Sequence, residues 1–171
     1  MFSFFKKKKT SEIKRAETEK GNFEFQLELR PHLVDNFFVI KLPVEFVPFE
    51  SDKFRAKTAD ETKMITITNY QKEWTGEAVD KRFFEELKLS LYEVFVNEGG
   101  YEPYDDLVVT DRFIRKSFKV DEETQYYFTS ARIIGDNVII TDFIVRETGA
   151  YNRTVMPMLE VVNASIEIYQ G

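Results

Sequence analysis

Two long β-type segments separated by Gly135-Asp136-Asn137 constrain the fold of this chain more than any other feature. Residues 124–134 and 138–147 are rich in β-branched and aromatic side chains, and the Gly-Asp-Asn step between them is typical of a tight hairpin turn. A third segment of the same kind covers residues 111–120. Together the three segments predict an antiparallel meander.

Four more strands are predicted nearer the N-terminus. In residues 23–30 apolar and polar side chains alternate with a period of two, and Pro31 is expected to end this strand. A second strand covers residues 37–43. Residues 54–57 and 64–70, joined by a short polar segment, predict an antiparallel hairpin.

Two helices are predicted from apolar side chains at helical spacing. The first covers residues 80–97 with Asp80 as its N-cap, and the second begins near Asn152 or Pro157, because proline is tolerated in the first turn. Residues 165–168 follow as a closing strand. This order of elements is not a strict βαβ alternation, so it predicts an α+β fold, a mostly antiparallel sheet with two main helices packed against it.

Charge divides the chain into a basic tail and an acidic remainder. The formal net charge is −6, yet residues 1–20 carry seven Lys and Arg against three Glu, so the remainder is strongly acidic. We expect a disordered tail over residues 1–21 and a single α+β domain over residues 22–171, a size that one hydrophobic core supports. An acidic domain would repel a phosphate backbone, so nucleic acid is not expected as a partner.

The tail admits two interpretations. Aromatic and basic side chains at its start could enter the headgroup region of an anionic membrane and give weak peripheral contact. Alternatively, the tail is a solvated, mobile leader. The basic residues follow the apolar ones, the reverse of a secretory signal, and no apolar run is long enough to span a membrane, so we expect a cytoplasmic protein. The candidate membrane-contact residues are Phe2, Phe4, Phe5, Lys6, Lys7, Lys8 and Lys9.

The sequence offers no recognisable catalytic or metal centre. Cysteine is absent and His32 is the single histidine. No motif therefore supplies the ligands of a zinc site, or the residues of a Ser-His-Asp or Cys-His arrangement. The glycines form no phosphate-binding loop. Two acidic clusters, at residues 105–106 and 121–123, lack the alternating spacing of a calcium loop and predict solvated turns. We therefore predict no catalytic residue, no metal and no cofactor.

Asp142 interrupts an otherwise apolar strand. It shares a face with Ile140 and Ile144, and Phe143 and Val145 lie on the opposite face, so the sheet is expected to be covered on both sides here. Two roles stay open for Asp142. It is either a functional carboxylate with a shifted pKa or a paired structural charge.

Aromatic side chains at strand ends and in connectors are the strongest indication of a binding surface. Tyrosine and tryptophan anchor many interfaces because they bury much area and keep a polar tip, although each of these residues could instead pack in the core. As a group they predict a partner-binding edge formed by Tyr70, Trp74, Tyr101, Tyr104, Tyr126, Tyr127 and Tyr151.

The order of elements over residues 34–169 resembles the PsbP-like and DcrB-like fold group, which also includes a Ran-binding nuclear import factor. The resemblance implies a non-enzymatic adaptor, since members of this group bind proteins and some bacterial relatives act as chaperones for secreted effectors. No site residues transfer with it. The residues that carry the resemblance are Phe38-Val39-Ile40-Lys41-Leu42-Pro43, Ile65-Thr66-Ile67, Tyr126-Tyr127 and Val161-Val162-Asn163-Ala164-Ser165-Ile166.

These observations predict a non-enzymatic module that binds another protein, as an adaptor, a chaperone or an immunity-type partner. The alternative is a small-molecule or lipid-binding protein that uses a pocket between sheet and helices, with the tail touching a membrane. A third class, an enzyme that works with carboxylates alone, would need a second acidic group beside Asp142.

Overall fold

The computed structural model describes residues 11–18, 24–76, 78–87, 102–103, 107–169 and 171. Strands make up most of this part of the chain. They are β1 (Glu12–Glu17), β2 (Glu24–Val34), β3 (Phe38–Pro43), β4 (Val47–Phe49), β5 (Phe54–Lys57), β6 (Lys63–Glu73), β7 (Glu102–Pro103), β8 (Val108–Val109), β9 (Phe113–Val120), β10 (Glu123–Ile134), β11 (Asn137–Thr148) and β12 (Glu167–Ile168). Helix α1 covers residues 81–87 of the described chain, and helix α2 is Val155–Ala164.

The strands form two antiparallel sheets. The larger has the order β4-β5-β6-β11-β10-β9-β7, with β8 also paired to β9, and the smaller has the order β1-β2-β3-β12. The prediction of an α+β fold built mostly of antiparallel sheet is confirmed. Its division into two sheets was not predicted, because strand patterns do not specify which strands share hydrogen bonds.

The predicted meander forms the centre of the larger sheet. Strands β9, β10 and β11 are consecutive neighbours, and Ile134 pairs with Asn137 across a tight turn. Gly135 adopts a positive φ of 58° in this turn, a conformation that glycine takes at little cost. The predicted hairpin of residues 54–57 and 64–70 is also confirmed, since β5 pairs antiparallel with β6.

The hydrophobic core lies between the two sheets and is completed by α2. One face of the larger sheet contributes to this core, because every second residue along β6, β10 and β11 points to the same side of the sheet. Helix α2 contacts β1, β3 and β10. The central members of this core are Phe38, Ile40, Leu42, Phe46, Ile65, Ile67, Tyr126, Phe128, Phe143, Val145, Val155, Met156, Leu159 and Val162.

The helix starts follow the local chemistry of the sequence. The Phe83 N–H donates a hydrogen bond of 3.1 Å to Oδ1 of Asp80, which is the predicted N-cap. The predicted continuation of α1 over residues 88–97 lies outside the described residues. Helix α2 begins at Val155 and places Pro157 within its first turn, where a proline removes no intrahelical hydrogen bond.

Two boundaries at the N-terminus differ from expectation. Glu12–Glu17, assigned to the tail, forms β1 and pairs with β2, so the sheet begins before residue 22. The prediction that Pro31 ends the strand is wrong, because β2 continues to Val34. β1 pairs with β2 only as far as Leu29, so Pro31 lies where one edge of β2 is open and its missing N–H costs no pairing on that side.

Candidate functional site

Three large apolar side chains are exposed together at the turn end of the meander. Tyr70 pairs with Ile140, and Ile133 and Lys72 both pair with Val138, so these residues share the face of the larger sheet that is opposite the core. The exposed fractions are 47% for Tyr70, 38% for Trp74 and 42% for Ile133, whereas Val138 and Ile140 are buried. We call Tyr70, Trp74, Ile133, Val138 and Ile140 the aromatic end.

A groove of about 160 Å³ is lined by Trp74, Val138 and Ile140 of the aromatic end. Val138 and Ile140 form its floor, and Phe83 and Leu87 of α1, four residues apart on one helix face, form a wall. Its polar rim includes charges of both signs, contributed by Lys72, Glu73 and Glu86. The groove is therefore apolar inside and polar at its edge.

Backbone contacts hold the aromatic end in place. The Trp74 N–H donates a hydrogen bond of 2.9 Å to the carbonyl of Asp136, which ties the segment after β6 to the hairpin turn. On α1, Phe84 is fully buried and its ring meets that of Phe83 edge-on at 5.6 Å. The buried ring of Phe84 therefore supports Phe83 in the wall of the groove.

Asp142 lies on the same sheet face, two residues from Ile140 on β11, and pairs with Thr68 of β6. It is buried, and it accepts a hydrogen bond of 2.7 Å from the hydroxyl of Thr129. Burial raises the pKa of Asp142 to about 6, although the hydrogen bond from Thr129 and the charge of Lys53 act in the opposite direction. Burial, followed by the charge of Asp142, also raises the pKa of Tyr70.

The environment of Asp142 matches part of the expectation. Residues 138–143 are all buried, which confirms that the sheet is covered on both faces. Among the described residues, the hydrogen-bond partner of Asp142 is the neutral hydroxyl of Thr129, so burial and this donor hold the carboxyl group. A carboxyl group enclosed in this way contributes to the pH dependence of stability, and its burial separates it from substrates in solvent.

The remaining predicted binding residues are dispersed. Tyr126 is fully buried in the core, where its hydroxyl accepts the Asn152 N–H at 2.5 Å and its ring lies 5.6 Å from that of Tyr151. Tyr127 is buried on the opposite face of the sheet. Tyr101 and Tyr104 lie outside the described residues, as do the candidate membrane-contact residues 2–9. Among the described residues of this group, Tyr70 and Trp74 are exposed on one face of the larger sheet, whereas Tyr126 and Tyr127 are buried and Tyr151 is half-buried.

Ile133 belongs to this surface but was not singled out from the sequence. The signal that could have identified it is the register of the predicted hairpin, which places residue 133 opposite residue 138 once the turn is centred on Gly135. For metals, no group of three or more His, Asp or Glu side chains is arranged to hold an ion among the described residues.

Comparison with known proteins identifies a fold. No family model matches the chain, and no curated protein matches it. The chain is similar in structure to the Saccharomyces cerevisiae Ran-binding protein Mog1p, with a TM-score of 0.50 and 10% sequence identity over 94% of this chain and 97% of Mog1p. A protein from Bacteroides thetaiotaomicron VPI-5482 gives a TM-score of 0.40 and 15% identity over 77% of this chain and 44% of its own.

The similarity to Mog1p confirms the predicted fold group. It extends over nearly the whole of both chains, so it describes the architecture and not a shared fragment. At 10% identity it shows the fold alone. In the described part of the chain, neither helix has the length and apolar character needed to cross a membrane.

Proposed function

We propose that this chain is a non-enzymatic module that binds another protein, and that the aromatic end is its partner-binding surface. The observation that carries the proposal is the exposure of Tyr70, Trp74 and Ile133 on one sheet face, beside a groove that Trp74 lines and whose floor is apolar. Contiguous exposed apolar side chains with a polar rim mark interaction sites on soluble proteins.

The energetics favour a contact at this surface. Burying a large apolar side chain is worth about 1.5 to 3 kcal/mol. Because each of the three side chains is less than half exposed, docking would add roughly 1 kcal/mol for each. Tryptophan and tyrosine are also frequent binding hot spots, since a stiff ring loses little entropy on contact.

The rim indicates the kind of partner. Lys72, Glu73 and Glu86 provide both signs of charge, and Arg82 forms an ion pair with Glu86 at 3.3 Å. A rim of mixed charge provides specificity more than long-range attraction. We therefore expect a partner that inserts an apolar side chain into the groove and matches the rim with polar groups.

The fold supports the same proposal. Mog1p, which shares the fold, is a Ran-binding protein, so this architecture presents a protein-binding surface in another chain. The identity of the partner does not carry over at this sequence distance.

The test is an affinity purification of the tagged chain from its native cells, followed by mass spectrometry. Wild type is compared with Tyr70→Ala and Trp74→Ala. The matched control is Tyr169→Ala, because Tyr169 is 46% exposed, nearly the same as Tyr70, and follows β12 in the smaller sheet. A protein retained by wild type and Tyr169→Ala, but lost or reduced at least about tenfold in the other two, would support the proposal.

Two results would contradict it. If the same protein is retained by all four chains, the aromatic end is not the binding surface. If no protein is retained by wild type, the chain is not a protein-binding module under those conditions. Trp74 is the single tryptophan, so its fluorescence gives an independent readout with a purified partner.

Membrane contact through residues 2–9 remains a separate prediction. Its test is flotation with vesicles containing anionic lipid, in which deletion of residues 1–10 should abolish the association. A small-molecule function is the second candidate, and the groove described next favours it.

A further inference from the structure

A polar cluster lies on the core-side face of the larger sheet, where β10 meets α2. The hydroxyl of Ser130 and Nη2 of Arg132 both donate to Oδ1 of Asn163, at 2.6 and 2.9 Å. Ser130 and Arg132 are two residues apart on β10 and therefore point to the same side. Asn163 lies in the last turn of α2. We call these three residues the Asn163 cluster.

The charge of Arg132 is not neutralised within this cluster. Its hydrogen-bond acceptor is a neutral amide oxygen, and its Nε is buried without a hydrogen-bond partner in the described part of the chain. Burial lowers the pKa of Arg132, and no carboxylate in the described part of the chain offsets this effect. A partly buried guanidinium normally has an anionic partner, because removing its charge from water is costly. Arg132 therefore carries a partly buried positive charge that its hydrogen-bond partner in this cluster does not balance.

The two hydrogen bonds also determine how Asn163 is oriented. Since the guanidinium of Arg132 can only donate, the amide oxygen of Asn163 must face it, and the Ser130 hydroxyl donates to the same oxygen. The amide NH₂ is therefore the free end of the side chain, and none of the described residues accepts a hydrogen bond from it. Arg132 polarises this amide through its oxygen, which strengthens the NH₂ as a donor.

Asn163 lines a groove of about 440 Å³, within the size range of small-molecule sites. The floor is apolar and aromatic, with Phe113, Phe128 and Pro157. Arg112, which directly precedes β9, and Asn163 also line the groove, and Arg132 lies one hydrogen bond behind Asn163. Ala16 and Glu17 of β1 and Glu160 of α2 complete the lining. The groove therefore has the guanidinium of Arg112 in its lining and that of Arg132 directly behind the lining residue Asn163.

We propose that this groove binds a small organic carboxylate with an apolar body. The Arg112 guanidinium and the Asn163 NH₂ hold the carboxylate, and Arg132 balances its charge from behind. The apolar body lies on Phe113, Phe128 and Pro157. This site is independent of the aromatic end, which lies on the opposite face of the larger sheet.

A carboxylate fits better than other charged groups. Its single negative charge matches the charge of Arg132, and its planar pair of oxygens suits a guanidinium. A phosphate ester would bring up to two negative charges into a groove that already contains Glu17 and Glu160. A protonated amine would be repelled by the positive charges of Arg112 and Arg132. The aromatic floor excludes ligands that are charged or polar throughout.

The test uses sodium benzoate as the probe, benzamide as its neutral match and phenyl phosphate as the competing anion. Amide NMR signals of the full chain are followed during each titration. The variants are Arg112→Gln, which removes an exposed charge, and Asn163→Asp, which places a carboxylate against Arg132. The control is Arg146→Gln, which loses an ion pair with Glu123 away from the groove.

We expect benzoate to shift the signals of Val161, Ala164 and Phe113 in a saturable manner and benzamide to leave them unchanged. Arg112→Gln and Asn163→Asp should each weaken benzoate binding about tenfold or more, as the loss of a charged hydrogen bond does, while Arg146→Gln binds as wild type. Absence of saturable shifts, an equal response to benzamide, tighter binding of phenyl phosphate, or unchanged affinity in Arg112→Gln would each overturn the proposal. Partner capture by Tyr70 and Trp74 does not depend on this result.

Discussion

The hydroxyl of Thr129 on β10 donates a 2.7 Å hydrogen bond to the carboxyl group of Asp142 on β11, and both side chains are buried. Thr129 and Asp142 are directly paired across the two strands. This contact holds a carboxyl group inside the sheet with a neutral partner. Its consequence is a stability that depends on pH.

Stability should decrease as pH rises through about 6. The pKa of Asp142 is raised in the fold from 3.8 to about 6, chiefly by burial, so the folded state holds this proton more tightly than the unfolded state. The stabilisation is fully present below about pH 4 and is lost as pH rises through the folded pKa. Asp142→Asn keeps an acceptor for Thr129 and removes the charge, so it should raise the free energy of unfolding at pH 7 by on the order of 2 kcal/mol.

Urea unfolding of wild type and Asp142→Asn between pH 4 and pH 8 measures this effect. The difference between the two chains should shrink towards zero near pH 4. Asp136→Asn, at an exposed turn position, serves as the control and should retain the pH dependence of wild type because it keeps Asp142. A constant difference at every pH would show that Asp142 does not titrate in this range.

Glu12 should titrate far below its usual range. Lys41 Nζ donates to Oε2 of Glu12 at 2.5 Å, and this hydrogen bond, with that from Lys14, lowers the pKa of Glu12 from 4.5 to about 2. The pairing therefore stabilises β1 above about pH 4.5, and the effect is lost as pH falls towards 2. The side-chain carboxyl chemical shift of Glu12 as a function of pH measures the midpoint.

Glu12→Gln tests whether the contact between Glu12 and Lys41 stabilises β1. Amide hydrogen exchange in β1 should become faster, while exchange in the β10–β11 pair stays as in wild type. A midpoint near 4.5 for Glu12, or unchanged exchange in β1, would mean that Glu12 and Lys41 are not paired in solution.

Tyr126→Phe should destabilise the fold although it keeps the ring. The Tyr126 hydroxyl accepts the backbone N–H of Asn152, just before α2, and the substitution leaves this N–H without its acceptor. The expected loss is about 1 to 2 kcal/mol in the free energy of unfolding. Tyr169→Phe, at an exposed position, should change stability by less than about 0.5 kcal/mol. Equal effects of the two substitutions in urea unfolding would argue against the buried hydrogen bond.

Asp80→Ala should weaken the start of α1. The substitution removes the acceptor for the Phe83 N–H, and loss of an N-cap costs about 1 kcal/mol. Asp80→Asn retains an acceptor and is the matched control. Hydrogen exchange in residues 81–87 is the local readout. Because Phe83 and Leu87 wall the groove of the aromatic end, Asp80→Ala should also weaken partner capture, whereas Asp80→Asn should not.

Local patterns predicted the elements whose chemistry is complete within a few residues. The alternation in β2, the glycine turn before β11 and the cap at Asp80 each need only near neighbours to act. The binding surface could be predicted in part by the same means. Tyr70 ends a recognisable strand, and Trp74 lies shortly after it. Whether Tyr126 faces the core or solvent depends on what covers the sheet, and α2 with the smaller sheet covers that face.

Sequence alone determined the α+β class, the meander, the hairpin turn, the start of α1 and the approximate position of α2, because these follow from backbone preferences and from apolar periodicity. The tertiary structure decided that Glu12–Glu17 is a strand and that Pro31 lies inside one. It also brought Ile133 to Tyr70 and Trp74, and Arg132 to Asn163. These outcomes depend on hydrogen bonds and packing between residues far apart in the chain, and no local pattern encodes which distant partner a strand edge or a charged side chain will meet.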